Sequence, residues 1–252
     1  MVSTVVAQPA ASSRPSSNLP GRRFDHLFFS GMALLMLVTV FVGFAPTYYL
    51  AGVFHAPLPS RIIHVHGAVF SCWILLVLTQ TSLVSASRVD IHRRLGIIGF
   101  FLACLMVIVG VLAATDSLAR SGGPPGGDPK FFYIIPLTDM LVFASLVFFA
   151  FRNRFNPAAH KRLILVATSG LMIAAVARWP IPFVHRHASR AALGTYLFLL
   201  LLAAYDFWST RKIHRATLWA SAFLIFVFQI RLPLGRTAAW QAFASWVQSL
   251  AR

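Results

Sequence analysis

LGIIGFFLACLMVIVGVLAAT, residues 95–115, has no charged side chain over a length that would cross a bilayer as one helix. A helix rising 1.5 Å per residue needs roughly 20 residues to span about 30 Å of hydrocarbon. The stretch is bounded by His92-Arg93-Arg94 before it and Asp116 after it, so its polar limits are sharp.

Comparable runs lie at 27–45, 62–85, 131–151, 163–179, 191–209 and 214–232. With 95–115 they make about seven spans, six of them firm and the seventh marginal. The seventh contains Arg215, Gln229 and Arg231, and only 216–228 is free of strongly polar residues. That suits a short tilted span or a re-entrant piece. The expected fold class is therefore all-α, a polytopic transmembrane helical bundle. A composition of 58% apolar and 11% charged residues agrees, because so few charges could not coat a soluble globule of 252 residues.

The formal charge of +16 is carried in short segments between the apolar runs, the placement of topology signals rather than of a nucleic-acid surface. Arg14, Arg22, Arg23, Arg88, Arg93, Arg94, Arg152, Arg154, Lys161, Arg162, Arg211, Lys212 and Arg215 fall on one side, thirteen of the 22 basic residues. The N-terminus is thus expected in the cytoplasm and, with seven spans, the C-terminus outside. Residues 1–23, rich in Ser, Pro and Ala, read as a disordered cytoplasmic tail. Residues 24–232 form the bundle, with an external Gly/Pro-rich loop at 116–130. Residues 233–252 place Trp240, Phe243, Trp246, Val247 and Leu250 at helical spacing, as in an amphipathic helix lying in the outer interface. The lipid bilayer is the expected partner, and nucleic acid is not.

The histidines gather at helix ends. His26, His92, His160 and His214 fall at the cytoplasmic ends of spans, and His55, His64, His66, His185 and His187 at or beyond the external ends. Imidazole ligates haem iron and several transition metals, and bundles build cofactor sites from side chains on facing helices. His66, His92 and His160 are the candidate metal ligands. His92-Arg93-Arg94-Leu95 opens the third span and His160-Lys161-Arg162-Leu163 the fifth, and arginines beside axial histidines could hold haem propionates as charge-assisted pairs. His64 and His66 are separated by about 200° along a helix, so one site can use both only if the helix has not yet begun there. His26, His214, His185 and His187 read as interfacial or loop residues.

Asp139 is the acid that lies well inside an apolar run, about eight residues or roughly 12 Å down the fourth span and near the depth of His66. A carboxylate at bilayer depth costs about 2.5 kcal/mol or more unless it faces the bundle interior, neutral or paired. Arg178 and His66 are its expected partners, in either a packing pair or a functional site. Cys72 and Cys104 fall within spans and read as small apolar residues. Lys130, Lys161 and Lys212 all stand at span edges, which leaves no buried amine for a retinal Schiff base. No nucleophile elbow, phosphate loop, zinc-protease signature or Cys-x-x-Cys occurs, so hydrolase and nucleotide-driven activities lack support.

His66 to Gln80 in the second span, His92-Arg-Arg-Leu-Gly96, Asp139 and His160-Lys-Arg-Leu163 together resemble a largely uncharacterised group of bacterial multi-histidine integral membrane proteins. The pattern is similar to a four-histidine family implicated in cytochrome oxidase assembly and, more distantly, to cytochrome b561-type haem bundles. The resemblance covers residues 61–180. In the fourth span, where the four-histidine family would have a histidine, this chain has Asp139. The resemblance implies a multi-pass protein of the bacterial inner membrane and haem as cofactor. It also implies a respiratory or other membrane complex as partner.

Three functions follow as expectations. The first is a haem-binding or redox-linked protein, with His92 and His160 as axial candidates for an inner haem. His64 or His66 would then belong to an outer cofactor site beside Asp139 and Arg178. The second is a proton-coupled small-solute transporter with a relay of His66, Asp139 and Arg178. The third is a non-catalytic assembly factor that offers small-residue surfaces such as Gly99 and Ala103 to another complex.

Overall fold

The structure, a computed structural model, describes residues 20–57, 59–123, 126–185 and 188–251, so residues 1–19 of the expected tail, Pro124 and Pro125 of the loop, Arg186 and His187 lie outside it. Among the described residues eight α-helices follow in order: α1 Pro20–Phe44, α2 Arg61–Ser85, α3 Val89–Ala119, α4 Pro129–Arg152, α5 Pro157–Val176, α6 Ala188–Thr210, α7 Arg215–Leu234 and α8 Ala238–Leu250. A π-helical turn, Ala45–Tyr49, prolongs α1. The first seven are long and apolar enough to cross a membrane. The protein is an all-α polytopic bundle.

Local sequence explains where several of these helices begin. Pro129 and Pro157 occupy first-turn positions, where a missing N–H costs nothing. The side chains of Asp128, Asn156 and Thr237 accept hydrogen bonds from the backbone N–H of Lys130, Ala159 and Trp240, which satisfies donors the helix cannot. Ahead of α7 the same role falls to a histidine, since His214 Nδ1 accepts from Ala216 N–H at 3.0 Å.

Helices α1 to α5 close into a ring, each packed on the next and α5 returning to α1. Helices α6 and α7 pack on the far side of α5, and α7 also reaches α4. The shared wall α5 is the most buried span, and its contacts are made through small residues. Gly43 of α1 lies against the backbone of Ala175, Gly194 of α6 against Val176, and Gly170 faces Leu224 of α7.

α3 is apolar all round because its two faces meet different apolar media. Gly99, Ala103, Met106, Gly110 and Ala113 are buried, while Ile97, Phe101, Leu105, Ile108 and Leu112 form an exposed stripe. What distinguishes the faces is size. Small residues let neighbouring backbones approach and large ones meet lipid, as expected where packing rather than hydrophobicity drives helix association. Gly99, at the small-residue spacing singled out above, packs against Leu76 of α2 within the same chain.

Two expected boundaries shift. The seventh span is a continuous 20-residue helix, not a re-entrant piece, because Arg231 is buried inside the bundle and paired with Asp139 at 2.6 Å. α3 runs on to Ala119, and Asp116 inside it accepts from Arg120 and from Ser60, so the loop before α4 is shorter than 116–130. α8 rests on the ends of α3 and α4. Its Ala244, Trp240 and Val247 pack against Ala114, Leu118 and Tyr133, and Phe243, Trp246 and Leu250 stay exposed.

Candidate functional site in the five-helix ring

The ring encloses a cavity of about 700 Å³ at the end where most basic residues gather, lined by all five of its helices. That volume lies within the range of small-molecule and cofactor sites, about 300–1,000 Å³. Trp73 forms part of the wall and donates from Nε1 to Thr168 Oγ1 at 3.2 Å, tying α2 to α5. Phe29, Phe100 and Leu165 supply apolar surface.

His92 of α3 and His160 of α5 both line this cavity, with ring centroids 6.3 Å apart and planes at 87°. The helices that carry them are not neighbours in the ring, so the imidazoles face one another across the space in front of α4. The His160 Nδ1–H donates to the carbonyl of Ala150 on α4 at 2.9 Å. That bond fixes the tautomer and leaves Nε2 with a free lone pair. His92 Nδ1 is buried without a hydrogen-bond partner, and so is the Oε1 of Gln80 on α2. The Gln80 amide faces α3 at Gly96, where a side chain would fill the space beside it.

Among the described residues no group of three or more His, Cys, Asp or Glu side chains could hold a metal ion. Two imidazoles alone would leave a bare ion with most of its positions open. They are, however, a sufficient protein ligand set for an iron whose equatorial positions a porphyrin fills. His92 and His160 are therefore the residues that could hold a haem.

The basic residues behind the two histidines divide. Arg93 lines the cavity together with Arg154, and neither has a carboxylate partner among the described residues. The Arg154 guanidinium lies over the rings of Phe151 and Phe155, at 4.6 and 4.5 Å. Lys161 is engaged by Asp25, whose other oxygen accepts from the Tyr205 hydroxyl at 3.0 Å. Arg162 turns out of the cavity altogether. Its Nε and Nη2 donate to Asp206 at 2.9 and 2.5 Å. Asp206 also accepts from Thr217 Oγ1 and the His214 N–H. Burial, and then the Arg162 charge, lower the His214 pKa, in keeping with an imidazole that must accept a hydrogen bond at the start of α7.

The outer residues converge only in part, with His66 within electrostatic reach of Arg178 and Asp139 paired elsewhere. Asp139 takes Arg231 of α7 as its ion-pair partner in place of Arg178 or His66, and Arg231 also lies over the Phe228 ring at 3.9 Å. Arg178 donates to the Ala174 carbonyl and covers Phe44. The His66 ring packs on Phe70 with its Nδ1 buried and unpartnered, whereas His64 sits beside Tyr48, whose hydroxyl donates to the His64 carbonyl. α2 has already begun at Arg61, so His64 and His66 leave it on different sides.

Sequence reasoning passed over Gln80 as a site residue, Asp206 as a buried acid and Arg231 as an ion-pair partner. His26, expected to be merely interfacial, lines the cavity. Compared with known proteins, the chain matches no family model, no curated protein and no solved structure.

Proposed function

We propose that this is a haem-binding, redox-linked protein of the bacterial inner membrane, in which His92 and His160 would hold one haem in the five-helix ring. The observation that carries the reading is the pair of crossed imidazoles 6.3 Å apart across a cavity of cofactor size. Bound haem would supply one-electron exchange within a membrane chain of carriers. Everything else is the work of this chain's own side chains. Ala150 holds the His160 ring in the tautomer that presents a lone pair. Trp73, Phe29 and Phe100 keep the interior apolar. Arg93 and Arg154, free of carboxylates, suit the two propionates as charge-assisted partners. By the positive-inside bias the cavity opens toward the cytoplasm. The transport reading has weaker support, because Asp139 is neutralised by Arg231 rather than joined to His66 and Arg178.

The deciding experiment is an optical spectrum of protein purified from haem-supplemented cells, oxidised and dithionite-reduced. A Soret band with sharp reduced α and β bands is expected in the wild type. It should be lost or converted to a high-spin spectrum in both His92→Ala and His160→Ala. A colourless wild-type protein, or a Soret band indifferent to both substitutions, would sink the proposal.

A further inference from the structure

Arg178 stands two residues beyond α5, and its guanidinium turns back along that helix. Nη1 donates to the Ala174 carbonyl at 2.6 Å, and the group lies over the Phe44 ring of α1 at 4.7 Å. An arginine that merely reached for the interface would extend away from the span. Protein crowds this one enough for burial to lower its pKa, and no acidic group offsets that effect. Solvent still reaches it. The acids at this end of the bundle are engaged elsewhere: Asp116 with Arg120 and Ser60, Asp128 with the Lys130 N–H and Gln241, and Asp139 with Arg231.

His66 feels the same uncompensated charge, with no acid acting against it. Its ring packs on Phe70 with centroids 4.0 Å apart. Nδ1 is buried without a hydrogen-bond partner, and among the described residues no protein group bonds the other ring nitrogen. The one N–H of the neutral imidazole therefore has no acceptor in the protein. The π-helical turn after α1 bridges the two elements. Phe44, just before it, supports Arg178, while Tyr48 lies so close over α2 that a Cβ on Gly67 would come within 2.5 Å of its ring. The hydroxyls of Tyr49 and Ser71 are hydrogen-bonded at 2.7 Å, which fastens the turn to α2. Such π-helical turns recur at functional sites. His66 precedes Gln80 by fourteen residues along α2, about 21 Å of helix, which sets this end well apart from the cavity.

We propose that His66 and Arg178 form an anion site at the end of the ring opposite the cavity, taking a carboxylate or phosphate group by hydrogen bonds from the guanidinium and the imidazole. The donor set decides the ligand class. A guanidinium has five N–H groups and no acceptor, and the imidazole adds one more donor without a protein partner, so the fitting ligand brings acceptor oxygens and a negative charge. Such a ligand would neutralise a cation that the protein leaves without a counter-ion. Two sources share this chemistry, a water-soluble carboxylate or phosphate and the headgroup of an anionic lipid.

The test is thermal melting of the full-length protein, first in neutral detergent with sodium acetate or sodium phosphate replacing sodium chloride at constant ionic strength. The second arm uses vesicles of phosphatidylcholine alone or mixed with phosphatidylglycerol in equal parts. The wild type should show a saturable rise in Tm in at least one arm. Arg178→Gln and His66→Phe should each weaken the apparent affinity about tenfold or more, as expected for loss of a hydrogen bond to a charged group. Arg178→Lys, which keeps the charge without the fork, should fall between wild type and Arg178→Gln. Without added anion, Arg178→Gln should melt no lower than wild type, because removing an unpaired charge strands no partner.

A rise with acetate or phosphate assigns the site to soluble anions, and one confined to phosphatidylglycerol assigns it to a lipid headgroup. No saturable rise in either arm overturns the inference, as does a rise that either Arg178→Gln or His66→Phe leaves undiminished. So does an Arg178→Gln protein that melts well below wild type without anion, which would make the guanidinium a packing element. None of these outcomes depends on haem, so a colourless protein leaves this site standing.

Discussion

Asp206 accepts four hydrogen bonds, two from the Arg162 guanidinium and one each from Thr217 and the His214 backbone, and is fully buried. Such a carboxylate holds α5, α6 and α7 together where they meet, and its value lies in what its loss would leave behind. Asp206→Asn would keep the shape but strand the buried Arg162 charge, a change that typically costs about 3–5 kcal/mol. We expect the variant to melt well below wild type in detergent. A double replacement, Asp206→Leu with Arg162→Met, should recover much of the loss, because a buried pair exchanged for apolar residues of similar volume is often neutral. Equal melting temperatures for Asp206→Asn and wild type would mean that the pair bears no such load. At this scale the sequence was only partly legible. His92 and His160 stand out because each opens a span with the same His-basic-Arg-Leu pattern. Asp206 reads as a residue at a span edge and Arg231 as an interruption, because a partner on another helix leaves no trace in the periodicity of either.

The spans themselves were visible, since each helix long enough to cross the bilayer must be apolar over most of its length. Their faces were not. Helical periodicity in polarity disappears when one face meets lipid and the other a protein core, and what remains is the alternation of small and large residues seen in α3. α1 shows the same economy at a single point. A Cβ on Gly43 would fall among the backbone atoms of Ala175 in α5, which a rotamer change cannot relieve, whereas one on Gly31 would meet nothing within 4 Å. Gly43→Ala should therefore force α1 away from α5 and lower stability by about 1–3 kcal/mol, the usual cost of overpacking. Gly31→Ala, in the same helix, should be neutral or stabilising by up to about 1 kcal/mol, from the better helix propensity of alanine. Thermal melts of the two variants in parallel check the pair. A Gly43→Ala protein as stable as Gly31→Ala would rule out the close approach of the two helices.

For the molecule as a whole, the bundle has two unlike ends. One carries the cavity, His92, His160, Arg93, Arg154 and the engaged Lys161, and the other carries the Asp139–Arg231 pair and the cover of α8 over α3 and α4. Counted along the sequence, thirteen of the 22 basic residues belong to segments expected on the cavity side of the spans, and in short loops this bias sets how a chain inserts. With seven spans between them, the start of α1 and the helix α8 must stand on opposite sides of the membrane. The exposed Phe243, Trp246 and Leu250 of α8 would then lie in the outer headgroup region, where aromatic side chains are favoured. Alkaline phosphatase joined after Arg252 should be active, because it folds only outside, and green fluorescent protein at the same place should stay dark. The same two reporters joined ahead of Met1 should behave in the opposite way. Replacing Arg93, Arg94, Arg152 and Arg154 together with Gln should weaken the bias and yield a mixed population, since it removes four of the thirteen charges from that side. A fluorescent C-terminal fusion in the wild-type chain would instead turn the cavity outward, and any electron donor or acceptor serving it would then have to be sought on the outer face of the membrane.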